Sequence, residues 1–197
     1  MEQVLINVKE EFTKDGIIHP RYIHTIGVIE KALELNQAHH LKISEEKIIQ
    51  AAGYHDIAKF LPKEKMLEML KENYPNIYEG MLGYPSIWHS FVGAVYAKEK
   101  YQIHDSEILD AICFHTTGRP YMGNLEKIVF ISDYIEERTR KGDYLEVPRN
   151  IAKINLNQAI LEILKQTIEY LKKNDKRVYD LTEETYRFYQ EEVKKNV

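Results

Sequence analysis

"EEKIIQAAGYHDIAKF", residues 45–60, decides how the chain is read. At about 100° per residue, Ile48, Ile49 and Ala52 form an apolar stripe, and His55, Asp56 and Lys59 continue that stripe. The spacing therefore predicts a helix that turns an imidazole, a carboxylate and an ammonium toward a core. Buried polar groups are costly unless they are paired, hydrogen-bonded or bound to a metal. Ser44 stands in the N-cap position, with Glu45 and Glu46 in the first turn, where the helix dipole favours acids. Pro62 ends the segment.

Helical periodicity extends outward in both directions. It predicts helices over about 2–14, stopping at Asp15-Gly16, and from Pro20 to about Ala38. Further helices are expected over 63–73, 86–101, 105–115, from a cap at Asn124 to about Arg140, over 150–173, and from Asp180 to near Lys194. Asp180 and Glu183 make a capping-box pair. "NYPNIYEGMLGYPS" (73–86) reads as a long loop placed to form a wall or lid, and "KGDYLEVPRN" (141–150) reads as a second loop. No segment reads as a strand. The expected fold class is all-α, a single domain over 1–197. Its core motifs lie at about 19–140, and its C-terminal helices, about 150–195, pack on them.

Composition narrows the function. The 197 residues are 44% hydrophobic and 29% charged, ordinary for a soluble globular chain. A net charge of -4 gives no general attraction to nucleic acid or an anionic membrane, so an acidic substrate needs local cations or a metal. The N-terminus has no signal-peptide core and no stretch nears 18 apolar residues. The single cysteine, Cys113 in "AICFH", reads as a small packed hydrophobe in a reducing compartment, and the expected location is the cytoplasm.

Other helices repeat the opening pattern. His89 shares a face with Val92, Val95 and Tyr96. Ile108, Ala111, Ile112 and His115 fall at i, i+3, i+4 and i+7, so His115 ends an apolar stripe before Thr116 and Thr117. Asp133 follows Val129 by four residues, beside Ser132 and Glu136. Four helices thus each aim an imidazole or carboxylate inward. His24 lies across its helix from the stripe of Ile26, Ile29 and Leu33, and periodicity leaves it either exposed or buried. His19, His39, His40 and His104 read as surface residues. A single inward histidine is ordinarily a hydrogen-bonded core residue, and Asp56 could simply pair with Lys59, or Asp133 with Arg138 or Lys127. One shared site explains all four inward groups together. Imidazole and carboxylate suit a divalent ion of the iron, manganese or zinc type, which activates water and neutralises phosphoryl charge. Lys59 could hold a phosphate oxygen as a point charge.

His24, "HDIAK" (55–59), His89, His115 and Asp133 resemble the H…HD…H…H…D series of the HD superfamily of metal-dependent phosphohydrolases. "RYIHTIGV" (21–28), "HSFVGAVYA" (89–97), "DSEILDAICFHTTG" (105–118) and "LEKIVFISDYIEERTR" (125–140) narrow the resemblance to the bacterial YqeK-type symmetrical bis(5′-nucleosyl)-tetraphosphatases. The resemblance implies cleavage of diadenosine tetraphosphate to two ADP. It implies iron, with manganese or another transition metal as alternatives, on His24, His55, Asp56 and Asp133. His89 and His115 would complete a second metal site or contact phosphate, and with Asp56 and Lys59 they form the implied catalytic set. Implied substrate contacts also include Ile57, Ala58, Thr116, and Lys176, Arg177, Val178, Tyr179, Asp180 and Leu181 ("KRVYDL"). Two features depart from the family: Ser132 precedes Asp133 where alanine is usual, and "IEERTR" lacks a proline. Arg138 and Arg140 are therefore both candidates for the phosphate-binding arginine. Another nucleotide or small phosphoester as substrate, or a nucleotide-binding sensor without turnover, are the competing readings. A homodimer through the amphipathic first and last helices is compatible with the pattern.

Overall fold

The structure, a computed structural model, describes residues 1–195, so the last two residues of the expected 1–197 domain lie outside it. Helix α1 (Glu2–Glu11) ends earlier than the pattern predicts, because Asp15-Gly16 closes a hairpin instead of merely stopping a helix. Asp15 at φ 51° and Gly16 at φ 78° give the left-handed turn that two-residue hairpins prefer. The turn joins β1 (Thr13–Lys14) to antiparallel β2 (Ile17–Ile18), pairing Thr13 with Ile18 and Lys14 with Ile17. The expected absence of strands is corrected by this one small ribbon, and the fold remains all-α.

Helix α2 (Arg21–Ala38) is buried on two sides, with His24, Val28, Ile29, Ala32 and Leu35 all inside. Helix α3 (Glu45–Tyr54) is capped by Ser44, whose side chain accepts from Lys47 N–H. It stops one residue before His55. Residues 55–61 continue in tighter i→i+3 turns, with Ile57 bonded to Tyr54 (3.1 Å) and Lys59 to Asp56 (2.8 Å). The helical placement of His55, Asp56 and Lys59 is thereby corrected. His55 and Asp56 are buried all the same, at 0% and 1% exposure.

Helix α4 (Lys63–Asn73) follows as expected. The segment read as a loop contains α5 (Tyr78–Met81) and a 3-10 turn at Pro85–Ile87, pinned where Trp88 Nε1 donates to the Met81 carbonyl (2.7 Å). Helices α6 (Trp88–Tyr101) and α7 (Ser106–Phe114) come next, the latter capped by Asp105. In α8 (Asn124–Ile135) Asn124 is the first helical residue and not the cap, and Glu126 reaches back to Gly123 N–H (2.8 Å). This helix ends five residues short of Arg140. The second expected loop holds a 3-10 turn (Asp143–Leu145) and α9 (Glu146–Ala152), which tolerates Pro148 in its first turn. The apolar helix expected over 150–173 is broken at 153–155, where Asn155 caps α10 (Leu156–Lys173). Helix α11 (Asp180–Lys194) lacks the expected capping box, since Tyr179 is its cap and Glu183 accepts from Arg187 instead (3.1 Å).

The core lies where α2, α3, α7 and α8 cross. Helix α6 covers α7 and α4, α10 lies against α8 and α9, and α11 against α10. The apolar faces of the terminal helices are used within the chain: Val4 and Val8 of α1 meet α3, and Thr185 and Tyr189 of α11 are buried beside α10. Amphipathicity there reflects internal packing. Cys113 is buried, and burial pushes its thiol up to about 12, as expected of a packed hydrophobe. His39 is half-buried and not a free surface residue, its Nε2 meeting the Ala152 carbonyl at 2.6 Å. Among the described residues no helix is long and apolar enough to cross a membrane.

Candidate metal centre

Helix ends build the site. An α-helix leaves its last carbonyls without intrahelical partners. His55, just past α3, turns Nδ1 onto the Ala52 carbonyl at 2.6 Å, and His115, just past α7, does the same to Ile112 at 2.7 Å. A carbonyl only accepts, so each Nδ1 carries the proton and each Nε2 presents a lone pair. His24 Nδ1 lies 3.1 Å from Glu136 Oε1, which fixes the same tautomer. Three imidazoles thus point Nε2 into one volume.

Two carboxylates meet them there. His24 Nε2 lies 2.9 Å from Asp133 Oδ1 and 4.0 Å from Asp56 Oδ2, while His55 Nε2 lies 3.3 Å from Asp56 Oδ2 and 3.9 Å from Asp133 Oδ1. The opposite oxygen, Asp56 Oδ1, faces His89 Nε2 at 3.2 Å and His115 Nε2 at 3.7 Å. Asp56 therefore looks toward two ligand sets, His24 with His55 on one side and His89 with His115 on the other. Ligand atoms within each of the sets His24–His55–Asp56, His55–His115–Asp133 and Asp56–His89–His115 lie within 4.8 Å of one another.

The donors fit a cation. Buried polar atoms are nearly always hydrogen-bonded, yet His55 Nε2 and Asp56 Oδ1 have no partner in hydrogen-bond geometry. Lone pairs on imidazole and carboxylate would repel at these distances; a shared divalent ion turns the repulsion into coordination. Burial alone would raise the Asp56 carboxyl, but the imidazoles of His55, His115 and His89 packed around it hold it well below the usual range. Burial also opposes ionisation of Asp133, and His24 and Arg140 reverse the effect. His89 is pushed down to about 4 by burial, despite Asp56, and is a neutral base at neutral pH.

Cations ring this acidic centre. Lys59 Nζ stands 3.0 Å from His89 Nε2 and 3.5 Å from Asp56 Oδ1. Arg140 donates to Asp133 Oδ1 (3.0 Å) and to the Asp133 carbonyl (3.0 Å). Arg138 turns outward to a two-point pair with Glu30 (2.6 Å each), so of the two candidate arginines Arg140 is the one brought to the centre. The alternative pairing of Asp133 with Arg138 or Lys127 does not form.

Several participants have no role assigned by periodicity. Arg21, one helical turn before His24, donates to Asp56 Oδ2 at 2.5 Å, and the i,i+3 spacing is a signal that could have found it. Glu136 accepts from the backbone N–H groups of Arg138 (2.6 Å), Thr139 (3.0 Å) and Arg140 (2.9 Å). That fold-back ends α8. Arg149, from a segment read as a loop, holds the carbonyls of Ile135, Glu136 and Arg140 (each 2.9 Å). No periodicity announces it.

A cavity of about 820 Å³ opens beside the centre, floored by His115, Thr116, Asp133 and Arg140 and walled by Tyr134, Tyr144, Gln166, Tyr170 and Lys173. Tyr134 donates to Gln166 Oε1 at 2.9 Å. Thr116 Oγ1 lies 3.5 Å from His89 Nε2. The side chains of Ile57 and Ala58 are in the hydrophobic core. The stretch Lys176–Leu181 lies at the far end of α10: Tyr179 packs on Tyr84 (5.1 Å) and Phe91 (6.5 Å), Lys176, Arg177 and Asp180 are exposed, and Val178 and Leu181 are half-buried.

The chain is similar to several known proteins. The family described as "HD domain" matches residues 21–138, a span that holds His24, His55, Asp56, Lys59, His89, His115 and Asp133 and stops short of Arg140. The chain is 38% identical over 189 residues to a protein of Bacillus subtilis named bis(5′-nucleosyl)-tetraphosphatase, symmetrical, covering 95% of this chain and 96% of that one. It is 39% identical over 177 residues to a protein of the same name from Halalkalibacterium halodurans, covering 89% and 92%. A crystal structure from Clostridium acetobutylicum, described as a predicted HD superfamily hydrolase involved in NAD metabolism, superposes with a TM-score of 0.84 at 30% identity over 97% of both chains.

Proposed function

The chain belongs to the HD-domain family, and on that premise we propose that it is a metal-dependent hydrolase that cleaves diadenosine tetraphosphate symmetrically into two ADP. One observation carries the reading: His24, His55, Asp56 and Asp133 converge with His55 Nε2 and Asp56 Oδ1 left unpartnered in a buried site. These four hold the ion, with iron as the proposed metal, and His89 and His115 face the second oxygen of Asp56. The bound cation supplies Lewis-acid charge and a water acidic enough to react near neutral pH.

The chain's own residues do the remaining work. Symmetrical cleavage adds one water across the central P–O–P linkage, and each product keeps two phosphates. Arg140 and Lys59 neutralise charge that grows on the phosphoryl oxygens as the linkage opens. Arg140 is held for this by Asp133, and Lys59 by its contact with His89. His89 Nε2, neutral and facing both Lys59 and His115, takes up or returns the proton needed by the departing oxygen. Glu136 keeps His24 Nδ1 protonated and its ring fixed. The cavity beside Thr116 takes one nucleoside, its tyrosines offering faces for a base, and the stretch Lys176–Leu181 beyond α10 extends that side.

The test is product identification. Protein loaded with iron or manganese is incubated with diadenosine tetraphosphate and the products are separated by anion exchange. ADP alone is expected. ATP with AMP would refute the symmetrical position, and an intact substrate would refute hydrolysis.

A further inference from the structure

A second cleft leaves the metal centre on the other side of Arg140. It measures about 230 Å³ and is lined by His19, Pro20, Arg21, His24, Thr139 and Arg140. Arg140 also lines the 820 Å³ cavity, so the two depressions meet at the centre. The smaller one is too shallow to enclose a nucleoside, but it opens onto a fixed aromatic surface. His19 Nδ1 accepts from Arg21 N–H (3.0 Å), which leaves Nε2–H as a donor and locks the ring at the start of α2. That ring rests on Phe60 at 4.5 Å, and Phe60 is braced edge-on by buried Phe12 at 5.3 Å. His19 is exposed and Phe60 is 48% exposed, an uncommon arrangement for two rings held this firmly.

A substrate with two identical halves, cut at its middle, needs two arms that leave the metal in different directions. We propose that the second cleft receives the other half of the dinucleoside tetraphosphate, its phosphates between Arg21 and Arg140 and its base stacked on His19. This rests on the hydrolase reading above. Arg21 serves both tasks, since it pairs with Asp56 through one nitrogen and also lines the cleft. Stacking on a preset ring is tolerant of base identity, so this arm recognises a nucleoside without selecting strongly among bases.

Two variants separate stacking from structure. His19→Asn keeps an acceptor for Arg21 N–H and removes the ring, whereas His19→Phe keeps a ring. Each is compared with wild type for KM and kcat on diadenosine tetraphosphate and on adenosine 5′-tetraphosphate, which has one nucleoside. Calorimetry with a methylene-bridged diadenosine tetraphosphate supplies an independent Kd. His19→Asn should lower the preference for the two-nucleoside compound by about fivefold or more, through KM and Kd with little change in kcat, and His19→Phe should restore it. Equal loss for both compounds, or no loss for either, overturns the second arm while wild-type turnover keeps the hydrolase reading. Wild-type protein that cleaves neither compound overturns both.

Discussion

Gly27 and Glu136 share one space: a Cβ on Gly27 would lie 2.3 Å from Glu136 Oε2. The absent side chain is what lets the carboxylate settle between α2 and the backbone of 138–140, from where its other oxygen orients His24. Alanine at position 27 gains at most about 1 kcal/mol of helix propensity. Displacing a carboxylate with this many bonds costs about 1–3 kcal/mol as overpacking. Displacement wins. Gly27→Ala should therefore lower stability by up to about 2 kcal/mol and weaken metal binding about tenfold, measured by urea unfolding and by metal titration.

Glu136→Gln tests the same carboxylate without changing its shape. It should weaken metal binding by about 10- to 100-fold. Burial pushes the Glu136 carboxyl up, but hydrogen bonds from Thr139 and His24 bring it below its ordinary value. A depressed carboxylate stabilises the fold above its unfolded-state pKa, and that contribution is lost as pH falls through the folded value. Between about pH 5 and pH 3 the wild-type urea midpoint should fall more steeply than that of Glu136→Gln. Parallel curves would refute the assignment.

Removing the metal should loosen the whole domain. An ion at about 100 times its dissociation constant stabilises the folded state by about 2.7 kcal/mol, which for a chain of this size shifts Tm by about 5–10 °C. Dialysis against a chelator should produce that fall in a thermal scan, and returning iron or manganese should reverse it. Asp56→Ala, which removes the carboxylate shared by both ligand sets, should abolish the metal-dependent shift and reduce turnover more than about a hundredfold.

The two arginines of "RTR" should behave oppositely. Arg140→Gln removes a cation from the centre, and kcat/KM should fall by about a hundredfold, the scale of one lost transition-state donor. Arg138 pairs with exposed Glu30, a solvent-screened contact that faces away from the centre, so Arg138→Gln should leave turnover within about twofold. Steady-state kinetics of the two purified variants decides.

Periodicity made the helical class and most of the centre legible, since burying His55, His89, His115 and Asp133 leaves an apolar-stripe signature in each segment. His24 escaped it because the apolar stripe of Ile26, Ile29 and Leu33 runs along the edge of the buried face, Ile26 and Leu33 being only half-buried, while His24 lies at that face's centre with Val28 and Leu35. The family resemblance placed His24 in the ligand set, and the structure brings it within 2.9 Å of Asp133. The end of α8 was illegible for a different reason. "IEERTR" holds no glycine or proline, and what stops the helix is Glu136 bonding its own downstream N–H groups while Arg149 gathers the carbonyls. Those contacts exist only once distant segments have met. "KGDYLEVPRN" reads as a loop, yet its second half opens α9, where Pro148 falls in the first turn and is harmless.

Main-chain oxygens choose which nitrogen of residues 55 and 115 faces inward, and that has a bearing on redesign. A side-chain acceptor could be substituted away; the carbonyls of Ala52 and Ile112 survive every amino-acid replacement at their own positions. Attempts to retune the centre for a different ion will find these two rings stubborn, and leverage will come from Asp133, Glu136 and their arginine neighbours.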